Sequence, residues 1–217
     1  ADMVCLHSRE EEWRLRRGMG VKAPGTIVPC PIKEKEAEPE AERFHGYTKK
    51  PYALFLGDAG NPRKNVERLI QAVRGLDVEL LVGGMVSETE TGQRVRRQAD
   101  TAPNVHLIGL VSEGEKAFLL GNATVFVLPS LTEVIGLAAM EAGLAGATIV
   151  ITSNGGPVDY LGAHAYYVNP HSISDIRDKI QRALHAPLTA SSHLRNTFSV
   201  EATGKSLEAC YRECVGF

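Results

Sequence analysis

From Pro51 onward, short apolar runs recur at regular intervals, with amphipathic stretches between them. Tyr52–Leu56, Val78–Val82, Val105–Ile108, Thr124–Leu128, Thr148–Thr152 and Ala165–Val168 each end on Gly, Pro, Asn or a polar residue. Runs this short and this continuously apolar read as strands buried on both faces. The stretches between them, Asn65–Gly75, Thr91–Ala102, Glu113–Gly121, Gly136–Ala145, Pro157–Leu161 and Ile173–Leu184, carry helical patterns. Strand–helix alternation of this kind predicts an α/β fold with a parallel sheet covered by helices on both faces. Ahead of it, Ala1–Leu6 and Thr26–Pro29 read as short extended pieces, and Arg9–Gly18 as a helix capped by Ser8. Lys33–Arg43 is nearly all charge and alanine around Pro39 and reads as a solvated connector.

Ligands of open parallel sheets bind outside the carboxyl ends of the strands. The loops of interest are therefore Gly57–Lys64, Gly83–Ser87, Gly109–Ser112, Pro129–Gly136 and Ser153–Pro157. In the fourth, the run Glu133-Val134-Ile135-Gly136-Leu137-Ala138-Ala139-Met140-Glu141 places two carboxylates eight positions apart around a helix start. Unpaired N–H groups at a helix start bind anions, and carboxylates accept from hydroxyls, so the run suits a sugar joined to a diphosphate. Both carboxylates also fit a plainer role as partners of the helix dipole. Glu141 lies so deep in an apolar helix that it needs a partner. Arg63 and Lys64 precede another helix start and would add positive charge there, although solvated cations on a turn explain them as well. The adjacent glycines of Ser153-Asn154-Gly155-Gly156-Pro157 require a tight turn whatever the function.

Bulk composition narrows the classes. The 217 residues suffice for one domain with appendages, and 43% hydrophobic with 23% charged residues is ordinary for a globular chain. With 24 Lys and Arg against 26 Asp and Glu, the net charge of −2 gives a nucleic-acid partner no basic face. No apolar run reaches membrane-spanning length, and none of the opening residues has the pattern of a signal peptide. Ala1 falls inside a strand-like stretch, which suggests a piece of a longer chain. Cys5, Cys30, Cys210 and Cys214 show no framework spacing; Cys210 and Cys214, one turn apart, have no matching pair to complete a structural zinc site. They read as reduced thiols of a cytoplasmic protein. No Asp-x-Asp pair calls for a divalent cation, so no metal and no cofactor is expected.

The residues resemble the carboxy-terminal, donor-binding half of a retaining glycosyltransferase of the two-Rossmann-domain (GT-B) type, family 4. Ala1–Ser8 is similar to the family's last amino-domain strand, and Thr26–Pro31 to its interdomain segment. The Gly57 loop resembles its Gly-Arg…Lys-Gly/Asn loop, and Asn104–Gly109 its Asn-Val-x-x-x-Gly strand. Pro129-Ser130 through Glu141 resembles its Glu-x7-Glu signature, and Ser153–Asp159 its Gly-Gly turn. Phe198–Glu201 and Tyr211 resemble the closing helix that returns to the amino domain. The implied fold is a single Rossmann-like domain. Residues 1–50 would be a remnant of the amino domain and connector, 51–197 the nucleotide-sugar-binding domain, and 198–217 the closing helix.

The resemblance also implies roles. Lys64, with Arg63, would contact the donor diphosphate, and the backbone at Gly136 and Leu137 would bind its phosphates. Glu133 would hydrogen-bond the sugar nearest the reacting centre, Glu141 the ribose, and the backbone at Leu110 and Val111 the base. The activity implied is transfer of a hexose from a nucleotide diphosphate-sugar with retained configuration. The acceptor domain would lie in a missing amino-terminal half or a partner chain, and membrane contact would run only through absent parts. An uncovered edge strand invites pairing with another copy of the chain. The sequence departs from the family pattern at Asp58, where an arginine is expected at the phosphates. It departs again at Val134-Ile135, in place of Gly-Phe, and in its shortened Gly-Gly turn. Asp58 and the absent half favour a second reading, a non-catalytic nucleotide-sugar-binding or scaffold subunit of a transferase complex. Another nucleotide-sugar enzyme such as an epimerase would want a full two-domain chain.

Overall fold

The computed structural model describes residues 3–33, 41–47 and 50–215. The chain opens with β1 (Val4–Leu6), α1 (Arg9–Met19) and β2 (Gly25–Ile27), and β1 pairs with β2 in a two-stranded parallel ribbon. Ser8 caps α1 as its sequence predicts, its side chain accepting from the N–H of Glu11 at 3.1 Å. The expected connector lies mostly outside the described residues, at 34–40. Its far end is not merely solvated: Ala41 is buried against the main domain, as is Phe44 just beyond it.

Then follow β3 (Tyr52–Leu56), α2 (Val66–Val73), β4 (Glu79–Gly83), α3 (Glu90–Asp100), β5 (Val105–Gly109) and α4 (Glu113–Asn122). The second half comprises β6 (Val125–Leu128), α5 (Leu137–Leu144), β7 (Thr148–Thr152), α6 (Pro157–Leu161), β8 (Ala165–Val168), α7 (Ile173–His185), α8 (Ser191–Phe198) and α9 (Val200–Val215). Six strands form one parallel sheet in the order β5-β4-β3-β6-β7-β8. Every residue of β3, β6 and β7 is buried. Alternate side chains of a strand point to opposite faces, so burial of all of them means helices on both faces, the predicted architecture. Among the described residues, the periodic pattern announced neither α8 nor α9, the latter expected only from the family resemblance. The apolar side of α8 is carried by Leu194 and Phe198, too few positions for a period to stand out.

The strand order places the site. The chain steps outward from β3 to β5, then returns to lay β6 on the other side of β3 and steps outward again. The crevice where the order reverses, between the carboxyl ends of β3 and β6, is where such sheets bind ligands. Loops at these ends are laced by backbone: Gly57 N–H donates to Gly83 O at 3.0 Å, and Gly84 N–H to Gly109 O at 2.8 Å. Gly84 has φ +110°, and a Cβ there would lie 2.3 Å from Gly57 O. Close approach of one loop to another requires this glycine. Asn104, at the head of the Asn-Val-x-x-x-Gly strand, is structural too: its amide donates to the carbonyls of Val73 and Val78 at 3.0 and 2.9 Å. Asn104→Leu leaves those carbonyls without their donor and is expected to lower unfolding free energy by about 1–3 kcal/mol. Urea denaturation with an unchanged m value checks this.

Candidate functional site

The loop after β3 is shaped by its own side chains. Asn61 caps a short 3-10 turn, Pro62–Lys64, accepting from the Arg63 N–H at 3.0 Å, with Pro62 preset at its first position. Asn65 then adopts φ +60°, the one positive φ at a non-glycine among the described residues. Its buried side-chain amide donates to Pro129 O and Pro170 O, both at 2.8 Å, tying three loops together. Leu131 N–H adds a bond to Arg63 O at 2.8 Å. The result points Lys64 across the crevice.

There it meets Glu133. Lys64 Nζ lies 2.7 Å from Glu133 Oε1, and the Ser130 hydroxyl donates to the same oxygen at 2.6 Å. Arg63 Nη1 stands 3.8 Å from Oε2 and also donates to Thr132 O at 3.0 Å. Glu133 is only 7% exposed. A carboxylate so buried persists because its charge is paired and hydrogen-bonded. The Gly-Gly turn holds its backbone from the other side. Glu133 N–H donates to Asn154 O at 3.0 Å and Gly156 N–H to Glu133 O at 3.2 Å. A Cβ on Gly155, at φ +108°, would fall 1.8 Å from Glu133 O.

Helix α5 begins immediately after. Gly136 caps it at φ 81°, ψ 45°, with no side-chain cap, which leaves the leading N–H groups of α5 to be met from outside the helix. Arg63, Lys64, Glu133, Gly136 and Leu137 line one cavity of 320 Å³ with Val134, Ile135, Leu128 and Ala138. Two cations and a helix start converge on it, an arrangement that takes an anion, while Glu133 can accept from hydroxyls.

Glu141 does not line that cavity. It lies along α5, where its Oε2 is 2.5 Å from Lys116 Nζ of α4, both side chains about four-fifths covered. This is the partner that the depth of Glu141 demanded. Sequence reading missed Lys116, because only the fold brings α4 beside α5. Leu110 and Val111 lie further along the same strand-end edge. Leu110 is 74% exposed, and its carbonyl accepts from Arg43 Nη2 at 2.8 Å. Arg43 also pairs with Glu115 at 2.6 Å, and Glu115 accepts from the Ser112 N–H in a capping box. Those bonds, the Ser112 N–H first and Arg43 second, hold the Glu115 carboxyl below its ordinary range. The sequence reading did not name Arg43 as part of this edge; its connector looked solvated.

Asp58 has a structural part that the sequence did not show. It is not among the residues lining the Lys64–Glu133 cavity. Its carboxylate accepts from the Ser87 hydroxyl, from the Ser87 N–H at 3.1 Å and from the Gly60 N–H at 2.9 Å, fastening the β3 loop to the β4 loop. Partial burial raises its pKa, but the bonds from Ser87, Gly60 and Asn61 together outweigh this and hold it below 3.8. His164, flanking β8, stacks on His193 with centroids 4.7 Å apart and is a packing residue. Among the described residues, no group of three or more His, Cys, Asp or Glu is placed to hold a metal.

Comparison with known proteins adds relatives. A family model described as glycosyl transferases group 1 matches residues 37–203. The 2-deoxystreptamine N-acetyl-D-glucosaminyltransferase of Niallia circulans is 30% identical over 168 residues, 74% of this chain and 43% of that protein. An MMP alpha-(1->4)-mannosyltransferase of Mycolicibacterium hassiacum is 27% identical over 74% of this chain and 40% of its own. The chain thus spans less than half the length of these two relatives. Among solved structures, the sucrose-phosphate synthase of Thermosynechococcus elongatus superposes with a TM-score of 0.81 at 24% identity, over 100% of this chain and 59% of that one. Anabaena Alr3699/HepE, solved in complex with UDP and glucose, gives 0.82 at 14% identity over 98% and 64%.

Two outcomes follow from the loop geometry. Asp58→Asn is expected to destabilise the protein at neutral pH. Because the folded-state pKa is depressed, the difference from wild type is fully present above about pH 4 to 5 and shrinks as pH falls through the folded value. Melting both proteins between neutral and acid pH checks the sign. Gly155→Ala cannot keep both its φ and the Glu133 backbone in place, so it is expected to displace Lys64 from Glu133. A crystal structure of the variant, with Lys64 Nζ beyond hydrogen-bond reach of Glu133, is the check.

Proposed function

The chain belongs to the group 1 glycosyl transferases, and on that footing we propose that it is the donor-binding part of a hexosyltransferase. The donor is a nucleotide diphosphate-sugar and the anomeric configuration is retained, as in family 4. The observation that carries this reading is the meeting of Lys64, Arg63, Glu133 and the start of α5 at the point where strand order reverses. In this reading the diphosphate accepts from Lys64, Arg63 and the N–H groups at Gly136 and Leu137. As the bond from the sugar's anomeric carbon to the diphosphate breaks, negative charge grows on the leaving oxygen beside these fixed donors. Stabilisation is preorganised, so the barrier falls without reorganising solvent. Glu133 accepts from sugar hydroxyls nearest the reacting carbon. Glu141, steadied by Lys116, accepts from the ribose hydroxyls, and the backbone at Leu110 and Val111 meets the base.

Residues 51–197 would be the nucleotide-sugar domain, 1–50 an amino-domain remnant with its connector, and 198–217 the closing helix. An acceptor domain, from further length of the protein or from a partner, would complete the cleft and exclude water from it. Helix α1 supports this division: none of its residues is buried, and Trp13 and Met19 are 54% and 74% exposed. Such a face suits further protein packed against it. We place the enzyme in the cytoplasm, touching a membrane only through other parts. No described helix is long and apolar enough to cross one. The scaffold reading loses one of its supports, because Asp58 is engaged in loop packing.

Calorimetric titration with GDP, UDP and ADP tests the proposal. One of them is expected to bind saturably. Lys64→Ala and Glu141→Ala should each weaken it by about 10- to 100-fold, the range for a lost charged hydrogen bond. Lys116→Ala should weaken it less than Glu141→Ala does. Binding indifferent to Lys64, or no binding of any of the three, would favour the scaffold reading.

A further inference from the structure

We propose that Cys5 and Cys210 form a reversible disulfide that fastens the carboxy-terminal helix to the amino-terminal strand. The two residues are 205 positions apart, yet their Sγ atoms lie 3.2 Å from each other. Cys5 is the middle residue of β1 and is exposed, while Cys210, within α9, is 2% exposed. Met3 Sδ lies 3.5 Å from Cys210 Sγ and 3.6 Å from the Thr26 hydroxyl of β2, so the buried thiol sits in a sulfur-lined seam between ribbon and helix. A disulfide has an S–S distance of about 2.05 Å, which asks the pair to close by roughly 1 Å.

An exposed thiol backed by a buried one has the layout of an attacking and a resolving cysteine; the hydrogen bond with Cys210 holds the Cys5 thiol above its ordinary pKa, so its attack quickens as pH rises. The oxidant is a low-molecular-weight disulfide. The Cys5 thiolate attacks one of its sulfurs, expelling one small thiol and leaving a mixed disulfide on Cys5. The Cys210 thiolate then attacks Cys5 Sγ and expels the second. Two protein thiols are oxidised, one small disulfide is reduced to two thiols, and the protons from the cysteines end on those products. In a reducing compartment such a bond is transient, which is what a redox-responsive fastening needs.

The bond would close a loop over nearly the whole chain, where a crosslink constrains the unfolded state most. It acts on elements outside the six-stranded sheet, β1 and α9, and neither cysteine lines the Lys64–Glu133 cavity. Nucleotide affinity should therefore be the same in both redox states, so this inference stands or falls apart from the donor reading.

Equilibrating the wild-type chain in glutathione buffers from reducing to oxidising tests it. The expected result is loss of two hydrogens in the intact mass, a linked peptide pair containing Cys5 and Cys210, and a Tm higher by about 5 °C or more. Cys5→Ser, at an exposed position, should abolish the linkage and the Tm rise while leaving the reduced protein's Tm nearly unchanged. Thiols that stay free throughout the range, or a bond mapped to Cys30 or Cys214, would overturn the proposal. So would linkage that leaves Tm unchanged.

Discussion

The Lys64–Glu133 ion pair sits where the strand order of the sheet reverses, and the surrounding loops are built to keep it there. A carboxylate that is 7% exposed needs its counter-charge close, because an uncompensated buried charge costs several kcal/mol. Lys64 comes from the loop after β3 and Glu133 from the loop after β6, so the pair exists only if the two halves of the sheet meet in register. Asn65 enforces that from one side, through its bonds to Pro129 and Pro170. The Gly155–Gly156 turn enforces it from the other, its backbone hydrogen-bonded to that of Glu133. Stability and site geometry are thus one constraint seen twice.

From that point the strand-end edge continues as a relay of contacts. Glu133 leads into the start of α5; α5 carries Glu141; Glu141 pairs with Lys116 on α4. The first turn of α4 is capped through Ser112 and Glu115, and Glu115 holds the arginine that binds the Leu110 carbonyl. A ligand stretched along the edge would therefore meet positive charge at one end and fixed backbone at the other. In the proposed reading the diphosphate, between sugar and nucleoside, would take the positive end and the base the backbone end. The chain spans 43% of one glucosaminyltransferase relative, and α1 leaves Trp13 and Met19 uncovered, so other protein has a place to pack.

Much of this was legible in the sequence, for a definite reason. Strands buried on both faces must be continuously apolar, so β3, β4, β6 and β7 declared themselves, and the half-buried edge strands β5 and β8 kept enough apolar residues to follow, with ends misplaced by a residue or so. Glycine and proline marked the turns because backbone conformation selects for them. Arg63, Lys64, Glu133, Gly136 and Leu137 stand together because their loops lie at the switch point, which strand–helix alternation implies. What stayed hidden depends on pairs distant in sequence. Lys116 gives no local sign that it will meet Glu141, and Arg43 looked like one more charge on a solvated connector. Asp58 looked like a misplaced charge until Ser87 came beside it. A side chain whose partner is 29 or 67 residues away carries no pattern that a local reading can find.

An amide NMR titration of the chain with the nucleoside diphosphate that it binds would decide whether this edge is the donor site. Shifts should concentrate at Gly136–Ala138 and at Leu110–Ser112, the two ends of the relay, with the strand interiors unmoved. Shifts confined to another surface, such as the 520 Å³ hollow beside Arg68 and Arg94, would contradict the assignment of the switch-point crevice as the place where the donor binds.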